Sequence, residues 1–125
     1  MDTAIDFWSE VKAQFPEIAS RADAEHIRQW DSLDPEFAYS WFESLAKVLN
    51  AEMLSSVAFN AHAPLFNFIA SLLPACNEVV FTCIDVALVE NLFWQVPSSK
   101  AAPYWQGLPN PLKELYVGFH GRTPL

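Results

Sequence analysis

The residues able to do acid–base or metal chemistry are few and scattered. His26, His62 and His120 show no H-x-x-x-H spacing with an accompanying acid. Cys76 and Cys83 are two thiols that would share a face if they lay on one helix. Their Cα atoms would lie about 10 Å apart at 1.5 Å per residue, beyond disulfide reach, and no histidine sits close enough in sequence to complete a zinc site. They read as buried thiols of a reducing compartment. Asp85 and Glu90 lie inside the most apolar stretch and are the remaining candidates for general acid–base work. On an α-helix five residues place them about 140° apart, so they form no close carboxylate pair. Glu78, Thr82 and Asp85 share one stripe, and Cys83 and Glu90 another. A buried carboxylate needs a partner or it protonates; Lys113, His120, Arg122 or a helix-terminal amide can serve. With no nucleophile–base spacing beside them, these acids read as ties between helices. Gly118-Phe119-His120-Gly121-Arg122 lacks the preceding strand of a phosphate loop and reads as a helix end. No catalytic residue, metal site or cofactor is expected, and the chain is read as a non-enzyme.

The elements that would position these residues are helices. The chain has 125 residues, 52% hydrophobic and only 18% charged, with three Gly and nine Pro. That composition fits one globular domain over 1–125 and excludes a disordered chain. Period-2 alternation is weak, and the prolines punctuate helical patterns. A first helix is predicted from Thr3 to about Phe15, with Ile5, Trp8, Val11 and Phe15 on its apolar stripe and the Lys12 stem at the margin. A short helix from Pro16 to Ser20 follows, and Asp23 is read as the N-cap of another that carries Ile27 and Trp30 to about Leu33. Asp34-Pro35-Glu36 is a clear start signal, in which Asp caps, Pro presets φ and Glu favours the positive dipole end. The helix it opens has Phe37, Trp41, Phe42, Leu45, Val48 and Leu49 on one stripe, and Glu43–Lys47 as an i,i+4 pair. Further helices are predicted from about Ala63 to Leu73, from Glu78 to Val96, from Ser98 to Gly107 and from Asn110 to Gly121. The 78–96 segment is apolar on every side, which marks it as a central pillar. The fold class is therefore all-α, a single-domain bundle of about six to seven helices around that helix.

Charge is distributed unevenly. Residues 1–60 hold eleven acids against four bases, and residues 61–125 hold four against three. Nearly all of the net −8 thus lies in the first half. Such a field attracts a basic partner and repels nucleic acid and anionic membrane. No apolar run is long enough to span a bilayer. The acidic start Met1-Asp2-Thr3-Ala4-Ile5-Asp6 is unlike a secretory leader, so a cytoplasmic location is expected. Asp23, Glu25, Asp31, Asp34, Glu36 and Glu43 are interleaved with Trp30, Tyr39 and Trp41. Aromatic anchors ringed by charge are the composition of tight interfaces. The partner-binding set read from this stretch is Asp23, Glu25, Trp30, Asp31, Asp34, Glu36, Tyr39 and Glu43. The competing reading is a solvated acidic face over an aromatic core.

The small, acidic, motif-free character resembles that of immunity proteins from bacterial polymorphic-toxin and contact-dependent inhibition systems. So do the stretches Ile84-Asp85-Val86-Ala87-Leu88-Val89-Glu90-Asn91-Leu92-Phe93-Trp94 and Leu115-Tyr116-Val117-Gly118-Phe119-His120-Gly121-Arg122. The resemblance implies a cognate inhibitor that docks an acidic, aromatic-rich face on a basic toxin domain, for instance a nuclease, and blocks substrate access. The alternative is a helical adaptor that binds a protein segment in an apolar groove with little salt dependence. A third reading, a small enzyme or ligand-binding domain, would draw on Glu78, Asp85 or Glu90 in an aromatic pocket.

Overall fold

The computed structural model describes all residues 1–125, and it is all-helical with seven α-helices and no strand. Helix α1 spans Ala4–Gln14 and opens with a capping box, in which Thr3 Oγ1 accepts from Asp6 N at 3.0 Å and Asp6 Oδ2 accepts from Thr3 N at 3.3 Å. Its buried stripe is Phe7, Trp8 and Val11, while Ile5 points outward. The Lys12 ammonium lies 4.5 Å over the Trp8 ring.

Helix α2 runs unbroken over Pro16–Trp30. This corrects the expected division into two helices with Asp23 as a cap. Nothing between Pro16 and Trp30 breaks a helix, and Asp23 finds partners in other helices, so its side chain has no capping role. Ile18, Ala19, Ala22 and His26 form the buried face, and the two alanines let neighbouring helices approach closely. Asp31 ends α2 in the left-handed region at φ 63, its N–H donating to Ile27 O at 2.7 Å.

Asp34 caps as expected, with Oδ1 accepting from Glu36 N at 2.9 Å. The first turn after it is a 3-10 turn over Pro35–Phe37, and helix α3 follows over Ala38–Leu54. Trp41, Phe42, Leu45 and Leu49 are buried as the stripe requires; Phe37 is exposed and Val48 is half-buried. Helix α3 occupies the centre of the bundle, packing on α1, α2, α6 and the helical run after residue 77. Its Phe42 stacks on Phe7 with ring centroids 4.3 Å apart.

Helix α4 spans Ala63–Leu72. Asn77 then caps helix α5 (Glu78–Thr82), its Oδ1 accepting from Val80 N at 3.0 Å. The run continues as a π-helical turn over Cys83–Leu88 and a 3-10 turn over Val89–Asn91. The expected single helix from 78 to 96 is thus helical only as far as Asn91, in three successive windings. Phe93 (φ 66) and Gln95 (φ 56) then turn the chain in left-handed conformations. Val80, Cys83, Ile84, Ala87, Leu88 and Val89 are buried, whereas Val79, Phe81 and Val86 face outward. The segment packs through one face, and the pillar position belongs to α3.

Helices α6 (Ser98–Gly107) and α7 (Asn110–His120) close the bundle, and Gly121 at φ 74 provides the expected left-handed stop. Two aromatic clusters, Phe59–Phe66–Tyr104 and Phe93–Trp105–Tyr116, fill this end of the bundle, with Phe59 half-buried at the margin. No helix is long and apolar enough to cross a membrane.

Candidate functional site

The left-handed turn at Asp31 folds the start of the 3-10 turn back on the end of α2. Trp30 and Phe37 therefore stack, with centroids 5.7 Å apart and planes 12° from parallel. The pair stays in solvent: Trp30 is 49% exposed, and Phe37 and Ile27 are each 43% exposed. Around it Asp31, Asp34 and Glu36 are exposed, and none of the three is in an ion pair. No Lys, Arg or His occurs from Gln29 to Ala46. This α2–α3 corner joins an aromatic platform to uncompensated negative charge.

Two residues of the sequence-derived set do not join it. Asp23 turns inward, 3.1 Å from Lys12 Nζ and accepting from Trp41 Nε1 at 2.8 Å. Glu25 is only 16% exposed at its side chain and accepts from Arg28, Gln29 and Lys47. The Arg28 hydrogen bonds are the chief reason its carboxyl is held down to about 2. Lys47 reaches Glu25 at 3.3 Å, so the expected Glu43–Lys47 pair does not form. Both acids act as internal ties because α1 and α3 bring bases to them.

Tyr39 and Glu43 lie further along α3. The Tyr39 hydroxyl is pushed up by burial first, and then by nearby acids, Glu43 foremost and Glu90 and Asp85 after it. They belong with the acids of the 83–91 run rather than with the corner. There burial raises Asp85, and burial and then Asp85 raise Glu90. Asp85 lies in the π-helical turn and Glu90 in the 3-10 turn that follows it. Glu78 is exposed at the start of α5.

The histidines take structural positions. His62 is buried, and its Nε2 donates to Glu52 Oε2 at 3.2 Å, with Arg21 3.0 Å from the other oxygen. Burial, then Glu52, pushes the nearby Tyr104 hydroxyl up to about 12. His26 is buried beside Trp30, and burial lowers its basicity. His120 Nε2 donates to Glu90 O at 3.1 Å. Burial pushes the Cys83 thiol up to about 11, which suppresses thiolate chemistry. No three His, Cys, Asp or Glu side chains converge as a metal-ligand set.

One feature has no counterpart among the sequence-derived candidates. Trp94, expected inside a buried helix, is 64% exposed and lines a cleft with Gln29, Glu43, Lys47, Asn50 and Asn91. The only hint in the sequence is a tryptophan beside Gln95 and Pro97, where a helix is poorly supported.

No curated protein and no solved structure matches the chain. A family model described as a domain of unknown function, DUF7674, matches residues 8–121, from the second turn of α1 through the end of α7. The chain belongs to the DUF7674 family.

Proposed function

We propose that this chain is a non-catalytic binding protein whose α2–α3 corner takes a basic protein partner, and that the partner is a bacterial toxin domain neutralised by the contact. The supporting observation is the stacked, exposed Trp30–Phe37 pair ringed by the unpaired acids Asp31, Asp34 and Glu36. Three exposed apolar side chains at one corner supply burial energy on docking, at roughly 25 cal/mol per Å² covered. Unpaired carboxylates add long-range attraction and therefore association rate. The toxin assignment rests on the resemblance to immunity proteins; the corner supports the basic character of the partner.

The adaptor reading draws on a different observation, the exposed Val79, Phe81 and Val86 of the 78–88 run. The two readings separate by salt. Native-host extract is passed over the immobilised wild-type chain and over an Asp31→Lys/Glu36→Lys variant, and the retained protein is purified and titrated against both. The corner reading expects the charge reversal to weaken binding at low salt and to flatten its salt dependence. Equal affinity for both proteins overturns it and favours the apolar face.

A further inference from the structure

The loop 92–96 is built around an unfavourable backbone. Phe93 at φ 66 and Gln95 at φ 56 are bulky residues in the left-handed region. Asn50, buried on α3, holds Phe93 there. Its Nδ2 donates to Asn91 O at 2.9 Å and its Oδ1 accepts from Phe93 N at 2.8 Å. The Phe93 ring is anchored in the core against Trp105 and Tyr116 at 5.8 and 5.4 Å. Between these two residues Trp94 is turned out, and it is the most exposed large apolar side chain of the protein. Strained backbone that persists under such anchoring concentrates at binding sites.

The indole borders a cleft of about 230 Å³. Its donors are largely occupied. Lys47 Nζ and Gln29 Nε2 both reach Glu25, Asn91 Nδ2 donates to Ala87 O, and the Asn50 amide holds the loop. What remains without a protein partner is the Glu43 carboxylate, Asn91 Oδ1 and Gln29 Oε1, all acceptors, and one donor, the Trp94 indole N–H. An aromatic face beside a carboxylate and two carbonyl oxygens complements a flat cation rich in N–H groups.

We propose that this cleft receives an arginine side chain of the basic partner, its guanidinium stacked on Trp94 and donating to Glu43, Gln29 and Asn91. The inference rests on the reading that the partner is basic. Gln29, which lines the cleft, precedes Trp30 of the corner on α2. Lys47 lines the same cleft and shares Glu25 with Arg28, so the carboxylate left for the guanidinium is that of Glu43.

The test needs no partner. The five indole N–H signals of the ¹⁵N-labelled full chain are followed while Nα-acetyl-arginine amide is added, the Trp94 signal being assigned by its loss in Trp94→Phe. The expected result is a saturable shift of the Trp94 signal. The neutral citrulline analogue should bind about tenfold more weakly, and Glu43→Gln should weaken arginine binding about fivefold. A stationary Trp94 signal, equal titration by citrulline, or unchanged binding in Glu43→Gln overturns the proposal. In the Asp31→Lys/Glu36→Lys variant the arginine probe should still shift the Trp94 signal. Arginine binding in that variant, together with undiminished partner binding, would overturn the corner reading while leaving the cleft standing.

Discussion

The indole N–H of Trp41 donates to the carboxylate of Asp23 at 2.8 Å, joining α3 to α2 through a ring that is 1% exposed. The same carboxylate lies 3.1 Å from Lys12 of α1, so one side chain ties three helices.

Removing that acceptor leaves a buried donor unsatisfied, which costs more than the net value of the hydrogen bond. Asp23→Ala is expected to lower stability by about 2–3 kcal/mol. Asp23→Asn keeps an oxygen facing Trp41 and should cost less. Urea denaturation measures both; an Asp23→Ala midpoint equal to wild type contradicts the tie.

Glu25 sets an acid sensitivity. Its carboxyl falls from 4.5 to about 2 in the folded protein, with the Arg28 hydrogen bonds first among the causes. A depressed folded-state value contributes stability that is fully present above 4.5 and is lost as the pH falls toward 2. Glu25→Gln should therefore be less stable than wild type near neutral pH, and the difference should shrink through that window. Urea midpoints across the acid range report it; a constant difference assigns the effect to packing instead.

Gly107 closes α6 against Phe59. A Cβ there would stand 2.5 Å from Cδ2 of that ring, which is stacked on Phe66 at 5.6 Å and edge-on to Tyr104 at 5.5 Å. Gly107→Ala should destabilise by about 1–3 kcal/mol from overpacking, despite alanine's greater helix propensity. Thermal denaturation checks this. In a Phe59→Ala background the same change should be close to neutral, and a full cost there would refute the steric origin.

Local signals were legible in the chain. Asp34-Pro35 and Gly121 act through neighbours within a turn, and each sits at a helix end or first turn, whereas Asn110 lies inside α7 and makes no capping hydrogen bond. Asp23 was misread because its partners, Lys12 and Trp41, lie on other helices, and propensity reports only short-range chemistry. The 78–96 segment was misread for a related reason. Apolar composition signals burial but does not distinguish α from π winding, nor does it show that Asn50 will hold Phe93 in a left-handed conformation. The corner was half legible. The pairing of Trp30 with Phe37 depends on the left-handed turn at Asp31, whereas the surrounding acids stand in plain sequence order.

The salt dependence of partner binding tests the central claim most directly. With the partner purified from the native host, affinity for wild type should fall roughly tenfold between about 50 and about 300 mM salt, and the Asp31→Lys/Glu36→Lys variant should bind more weakly with a nearly flat profile. Identical salt profiles for the two proteins would contradict the assignment of the α2–α3 corner as the docking surface.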